Sequence, residues 1–344
     1  MTVLITGGCG FIGLNILENL IKTKTKNIII LDNFSNSCIE NLHASIGPTN
    51  IAKISKKSYK LDSESSHFEY EEIRVNKSII SVFEGDVVDF ELAKYLTRKT
   101  FAVIHLAGQT SVQPSISDPE FDYRNNILGT FNYLESSRLN GVKKFITASS
   151  AAVLGNSPSP QEENYPYQPL SPYGASKAAI EAYCSAYKNS YNINTIALRF
   201  SNVYGAYAWN KGSVVAKFIK DTINDKTIVV NGDGNQTRDF LHVQNICQVI
   251  LKILSDEDSS LFEYGEPLNI ATGKQTSILD VIDLMQEYFH SSLKYNHGPE
   301  LKGDVKTSSP SVKKLRNYIN IEKFFTLEDK LEECINWFKN NYKK

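Results

Sequence analysis

The sequence predicts an α/β protein: a doubly wound parallel sheet with a smaller lobe formed by the C-terminal part of the chain. Three observations carry that prediction. Short β-branched runs alternate with amphipathic stretches of helical period through the first two-thirds of the chain. Several runs are apolar at nearly every position, as expected of strands covered on both faces. A glycine-rich turn joins the first run directly to the first helical stretch, which suits a phosphate held at a helix N-terminus.

Taken in order, the strand candidates are TVLIT (2–6), IIIL (28–31), SVFEG (81–85), AVIHLA (102–107), KFITAS (144–149) and TIALRF (195–200). Amphipathic stretches at 12–22, 89–97, 125–139 and 174–190 separate several of them. A strand followed by a helix of this length returns parallel to its predecessor. After about residue 201 the pattern breaks into loops, helices at 213–224, 243–255, 276–290 and 327–340, and one short apolar run, LNIAT (268–272). This part is expected to lie as a lobe over the carboxyl edge of the sheet. Residues 47–80 differ again, being rich in lysine and serine, with a partly alternating stretch FEYEEIRV and a helix candidate only at 51–60. An excursion of this length between two sheet strands reads as a surface insertion.

Charge narrows the partners. With 37 Lys and Arg against 38 Asp and Glu, the formal net charge is −1, so no global field favours nucleic acid or an anionic membrane. The five cysteines, Cys9, Cys38, Cys184, Cys247 and Cys334, are odd in number and contain no Cys-x-x-Cys pair. That pattern suits a reducing compartment and offers neither a disulfide framework nor a metal site. No apolar run reaches the roughly 18 residues of a membrane span, and the N-terminus lacks the basic start of a signal peptide. A cytoplasmic protein is expected.

The stretch TVLITGGCGFIG places Gly7, Gly10 and Gly13 between a strand and an apolar helix. Glycines there let the backbone turn tightly and approach a pyrophosphate. Asp32 stands nineteen residues after Gly13, at the end of the second strand. A carboxylate in that place accepts hydrogen bonds from an adenosine ribose and repels a 2′-phosphate, which favours NAD over NADP. Residues 1–200 are therefore expected to form an NAD-binding Rossmann domain, and 201–344 mainly a substrate-binding lobe with some segments returning to the sheet.

The segment SPYGASKAAIEAY sets Tyr173 and Lys177 four residues apart, hence on one helix face. Such a pair occurs by chance in many helices and gains meaning only from its surroundings. The surroundings are specific. TGGCGFIG, LDNFSNS, GDVVD, HLAGQTSV, NNILGTFNYLE, SSAAVLG, YGASK, RFSNVYG and GDGNQTRDFLHV follow one another in the chain. In this order the sequence resembles the extended short-chain dehydrogenase/reductase family, in its nucleotide-sugar branch, and UDP-glucose 4-epimerases in particular.

The resemblance implies roles. Phe11, Ile12 and Asn33 would complete the cofactor loop with Gly7, Gly10, Gly13 and Asp32. Asp86 and Val87 would hold the adenine, and Leu106, Ala107, Gln109 and Asn125 would line the cofactor groove. Ser150, Tyr173 and Lys177 would be catalytic, with Tyr173 and Lys177 also touching the cofactor. Ser111, Asn202, Arg238 and Ser308 would join Ser150 and Tyr173 around the sugar nucleotide. The implied reaction oxidises carbon 4 of a UDP-hexose, turns the ketone and reduces its other face. For this, Lys177 and the positive nicotinamide ring are expected to lower the phenol's affinity for its proton. Relatives that remove water or carbon dioxide carry a carboxylate after the catalytic hydroxyl residue, whereas Ala151 and Ala152 follow Ser150 here. The alternatives are another nucleotide-sugar reaction (4,6-dehydratase, decarboxylase, 2-epimerase or reductase) or a non-catalytic NAD-binding module.

Departures from the family pattern fall on the substrate side. Leu154 replaces its tyrosine, and Leu301 and Lys306 stand where arginines are usual. Ser308 stands where a bulky residue excludes N-acetylated sugars in some relatives. Tyr183, Tyr187 and Tyr191 recur at every fourth position among small residues. Family members pair this helix and the one around 115–139 into a four-helix bundle, so a homodimer is expected.

Overall fold

A computed structural model describes residues 1–60, 67–256, 265–300, 305–320 and 323–342. Its strands in chain order begin with β1 (Thr2–Thr6), β2 (Asn27–Asp32), β3 (Ile51–Lys60), β4 (His67–Val75) and β5 (Ser78–Glu84). They continue with β6 (Ala102–His105), β7 (Lys144–Ser150), β8 (Asn194–Phe200), β9 (Asn202–Tyr204) and β10 (Ile228–Asn231). The last are β11 (Thr237–Arg238), β12 (Phe240–His242), β13 (Leu268–Ile270), β14 (Thr276–Ser277) and β15 (Tyr295–Gly298). Nine of them form one sheet in the order β13-β8-β7-β6-β1-β2-β5-β4-β3. Every pairing from β13 to β5 is parallel.

Helices α1 (Phe11–Lys22), α2 (Ile39–Ile46), α3 (Phe90–Thr97), α4 (Val112–Ser117), α5 (Pro119–Asp122), α6 (Gly129–Leu139) and α7 (Pro172–Tyr191) lie among the sheet strands. A wider π-type turn, Tyr123–Leu128, runs into α6. Later come α8 (Val214–Ile223), α9 (Val243–Ser255), α10 (Ile278–Phe289), α11 (Lys313–Tyr318) and α12 (Leu327–Asn341).

The two-sided burial foreseen from the apolar runs is visible residue by residue. In β1, Val3 and Ile5 join the core under α1, α2 and α9, while Leu4 points to the core under α3, α6 and α7. Strand β6 divides in the same way, with Ala102 and Ile104 on one side and Val103 on the other. Successive strand side chains face opposite ways, so a run apolar at every position needs a helical layer on each face. A third core, centred on Phe218, Ile219, Val281, Leu331 and Phe338, holds α8, α10 and α12 together over the carboxyl side of the sheet.

One expectation changes. Residues 51–60 form a strand, not a helix, and with β4 make an antiparallel hairpin that extends the sheet beyond β5. The excursion is thus part of the sheet's edge. Its alternation is partial: Ile73 and Val75 are buried with exposed Arg74 between them, while Glu72 beside Ile73 is buried as well. The short helix α2 provides the crossover between β2 and β5 that 51–60 was expected to supply. Helix α9, from the part of the chain after residue 201, packs on the sheet through Ile246, Val249, Ile250 and Ile253. Strand β13 likewise pairs with β8. Amphipathicity shows that a helix covers something without showing which core it covers.

One ion pair is sealed inside this framework. Arg199 on β8 and Glu181 on α7 both have fully buried side chains. Arg199 Nε and Nη2 donate to the two Glu181 oxygens at 2.9 and 2.8 Å. Ser149 Oγ donates to the same carboxylate, and Arg199 Nη1 donates to the Glu163 carbonyl at 3.2 Å. Removing one partner of a dry pair leaves the other charge uncompensated. Arg199→Met should therefore cost about 3–5 kcal/mol in urea denaturation, and adding Glu181→Leu should recover most of that loss. A single-variant cost under about 1 kcal/mol would show that water reaches the pair.

Candidate active site

A cavity of about 670 Å³ opens where β1, β2, β6, β7 and β8 end, the side on which doubly wound sheets bind ligands. Its floor is the glycine turn. Gly7 has a φ of +67°, and a Cβ there would stand 2.9 Å from the Ala107 nitrogen. A Cβ on Gly13, in the first turn of α1, would stand 2.5 Å from the Gly7 carbonyl oxygen. Only glycine allows this approach of turn, helix and β6 without backbone movement.

Asp32 sits at the carboxyl end of β2, largely buried. Its Oδ2 accepts from Cys9 N at 2.9 Å, and its Oδ1 accepts from Phe34 N at 3.0 Å and Ser37 Oγ at 2.9 Å. An ionised carboxylate offers about four lone-pair positions, so it can still accept from a ribose. Asn33 Nδ2 donates to Asp86 Oδ2 at 3.1 Å. Gly10, Phe11, Ile12, Val87, Leu106, Gln109 and Asn125 all line the same cavity. Gln109 binds the Ser111 backbone twice, at 2.7 and 2.6 Å, and so shapes the loop after β6. The close glycine turn, the acid beyond it and the apolar groove fit a dinucleotide. Asp86 alone among the expected cofactor residues does not line the cavity; it stands behind Asn33 and steadies it.

The three residues expected to be catalytic converge by two routes. Ser150 ends β7, with its Oγ accepting from Ala152 N at 3.2 Å. Helix α7 begins with Ser171 as its cap, accepting from Gly174 N at 3.2 Å, and Pro172 in the first turn. These residues fix where the helix starts and thereby place Tyr173 and Lys177 in the cavity wall. Lys177 is buried; its Nζ donates to the Ala148 carbonyl at 3.0 Å and lies 5.8 Å from the Tyr173 ring centre.

Burial sets the proton affinities of both groups in the chain alone. Burial pushes the Tyr173 phenol up to about 12; an interaction with Ser150 opposes this, and the Asp122 carboxylate reinforces it. Burial lowers Lys177 to about 8, against support from the carboxylates of Asp122 and Glu181. The chain's own charges therefore leave Tyr173 a neutral phenol at neutral pH. The cost of desolvating a phenolate dominates here, and the Lys177 ammonium is directed at a backbone carbonyl.

Asp122 was not foreseen. It is buried on α5, accepts from Asn126 Nδ2 at 2.9 Å, and its own proton affinity is raised by burial. Asn126 Nδ2 also donates to Ser176 Oγ at 3.1 Å, beside Lys177. Nothing in the sequence distinguished this aspartate from a surface one, since its neighbours become neighbours only through the π-type turn.

At the other end of the cavity stand Ser111, Asn202, Arg238 and Ser308. Asn202 on β9 donates its N–H to the Asp239 carbonyl at 3.0 Å, and Arg238 Nη1 donates to the Thr237 carbonyl at 2.8 Å. Ser308 N donates to the Thr237 carbonyl at 3.2 Å. Lys306 is exposed and does not line the cavity, while Leu301 lies outside the described residues. Leu154 is fully buried in a small cluster with Val153 and Ala178. The loop after β9 adds Tyr207, Trp209, Asn210 and Lys211 to the wall. Sequence reasoning missed these because the loop has no period and carries no recognised motif.

Comparison with known proteins follows the same lines. The NAD dependent epimerase/dehydratase family matches residues 3–271. A putative UDP-glucose 4-epimerase of Methanocaldococcus jannaschii is 30% identical, over 98% of this chain and 99% of its own length. The structure of UDP-glucose 4-epimerase with UDP-glucose from Thermotoga maritima is 27% identical, with a TM-score of 0.83 over 100% of both chains. That of UDP-N-acetylglucosamine 4-epimerase from Methanobrevibacter ruminantium M1, in complex with UDP-N-acetylmuramic acid, is 28% identical, with a TM-score of 0.81 over 98% of each.

Two measurements check the site. Gly13→Val should abolish NAD binding and lower stability by about 1–3 kcal/mol, read by calorimetric titration and thermal unfolding; unchanged affinity would mean that the turn does not cradle the cofactor. In the cofactor-free protein, NMR of labelled lysine side chains should show one ammonium titrating near 8 that is absent from Lys177→Met. A lowered value means that the folded chain holds the proton less tightly than the unfolded one, so this lysine's cost to stability is greatest below 8 and fades as pH rises past it.

Proposed function

Because this chain belongs to the NAD-dependent epimerase/dehydratase family, we propose that it is a nucleotide-sugar epimerase inverting carbon 4 of a UDP-hexose. One observation carries this reading. Ser150, Tyr173 and Lys177 line the cavity together, and its only lining carboxylate among the described residues is Asp32, beside the glycine turn. A dehydratase or decarboxylase needs a further acid or base at the sugar, and Ala151 and Ala152 occupy the turn that would hold it.

Bound NAD supplies the acceptor and donor of the hydride. Tyr173 takes the proton from the carbon-4 hydroxyl and later returns it, while Ser150 hydrogen-bonds the same oxygen. Since Tyr173 is a phenol in the chain alone, the filled site has to stabilise its phenolate, and Lys177 is the protein cation placed to contribute. Asn202 and Arg238 anchor the nucleotide's diphosphate, so the ketone can turn without dissociating. Gly7, Gly10, Phe11, Ile12, Gly13, Asp32 and Asn33 hold the cofactor's adenosine and diphosphate, with Val87 at the adenine and Asp86 steadying Asn33 from behind. Leu106, Ala107, Gln109 and Asn125 form the groove beyond.

Glucose and galactose are the first substrates to test. The Thermotoga and Methanobrevibacter relatives carry names for glucose and N-acetylglucosamine respectively, and a serine at 308 leaves room for an N-acetyl group. In this reading residues 1–200 bind the cofactor and 201–344 mainly shape the substrate end.

The homodimer forms through α6 and α7. Tyr183 and Tyr191 are 41% and 54% exposed, Phe131 meets Tyr183 edge-on at 5.8 Å, and Arg138 lies 4.8 Å from the Tyr191 ring. Unlike its two neighbours, Tyr187 turns inward to Glu135 at 2.9 Å, which leaves the outer rings for a partner. Cytoplasmic residence accords with the five free cysteines.

Incubation with UDP-, dTDP-, CDP- and GDP-sugars, followed by NMR of the products, should show carbon-4 inversion of a UDP-hexose without net NADH formation. Release of water or carbon dioxide would instead assign a neighbouring reaction. Tyr173→Phe should reduce turnover by about 10²-fold or more with NAD still bound; retained turnover would mean that another group carries the proton. Sedimentation should give twice the chain mass at micromolar concentration, and Tyr183→Glu should halve it.

A further inference from the structure

The cavity wall carries three cations, Lys177, Lys211 and Arg238, against the single carboxylate of Asp32. Asp32 is occupied by the turn around it, and Lys177 by the Ala148 carbonyl. Lys211 is different. Among the described residues its ammonium has no hydrogen-bond or ion-pair partner, and burial lowers its proton affinity. It also repels Lys177. A partly buried, unpaired ammonium is unfavourable unless an anion meets it.

The loop that presents it is built rather than slack. Tyr207 turns the chain at a φ of +68°, and its hydroxyl donates to Glu18 on α1. Lys211 N donates to the Ala208 carbonyl at 3.0 Å. Lys220, on α8, directs its ammonium to the carbonyls of Trp209 and Lys211, each at 2.8 Å. Asn210 Nδ2 donates to the Asn36 carbonyl at 2.7 Å, tying the loop to the segment after β2. With its backbone clamped from several directions, Lys211 loses little further entropy on meeting a ligand.

We propose that Lys211 is an anion-binding residue of the substrate site, taking phosphate oxygens of the nucleotide sugar's diphosphate alongside Arg238. Lys306, the other cation of this region singled out in the sequence, is exposed and outside the cavity, so it does not compete for that task. A lysine is a point charge without a directional fork. It can hold a diphosphate while leaving the attached sugar free to turn, which is the property an epimerase requires. The assignment rests on the nucleotide-sugar reading and specifies its substrate contacts.

The test compares NAD-loaded wild type with Lys211→Met and Lys211→Arg by calorimetric titration of UDP, inorganic pyrophosphate and uridine. Lys211→Met should weaken UDP and pyrophosphate by about tenfold or more. Uridine affinity, NAD content and thermal midpoint should stay unchanged, and Lys211→Arg should restore most of the loss. Unchanged UDP and pyrophosphate affinity would overturn the assignment, as would wild type binding neither. Loss of NAD would place Lys211 at the cofactor instead and would likewise overturn it. If pyrophosphate binding depends on Lys211 while no UDP-sugar is epimerised, the residue's role stands and the proposed reaction falls.

Discussion

The approach of the first strand–helix turn to the end of β6 sets the geometry of everything around the site. Gly7 and Gly13 bring backbone against backbone at distances that no side chain would permit. The Gly7 N–H reaches the Leu31 carbonyl at 2.7 Å, and the Cys9 N–H reaches Asp32. The helix start, the second strand and the carboxylate at its end are thereby fixed relative to one another. Because parallel strands all present their carboxyl ends on one side, the same contact also sets the distance from the turn to Ser150 at the end of β7.

Around that frame the chain places charges in dry surroundings and balances them in different ways. Glu181 and Arg199 neutralise each other completely and join α7 to β8 behind the trio. Lys177 receives partial support from Asp122 and Glu181, one from the π-type turn side and one from its own helix. At Tyr173 burial outweighs the support from Ser150, and the side chain remains a phenol. An empty pocket that already held a phenolate would bear the full desolvation cost of a buried anion. A site whose ionisation awaits its ligands avoids that cost until the charges that offset it are present.

Much of the fold was legible because its signals are local. Strand–helix alternation, the glycine turn and Asp32 rest on residues close in sequence. The trio residues were legible through ordered motifs whose spacing the structure reproduces as convergence on one cavity. The hairpin at β3 and β4 was misjudged because the lysine-rich edge strand β3 is exposed along most of its length and reads weakly as either a helix or a loop.

By itself the sequence determined the parallel α/β architecture and the dinucleotide turn, and it singled out Ser150, Tyr173 and Lys177, which line one cavity, since periodicity and motif order are properties of the chain alone. Only the tertiary structure decided that Asp122 and Glu181 support the lysine, that burial keeps Tyr173 protonated, and that Lys211 faces the cavity while Lys306 does not. Those outcomes depend on distance and desolvation between residues far apart in sequence. Such terms exist only once the backbone has closed around them.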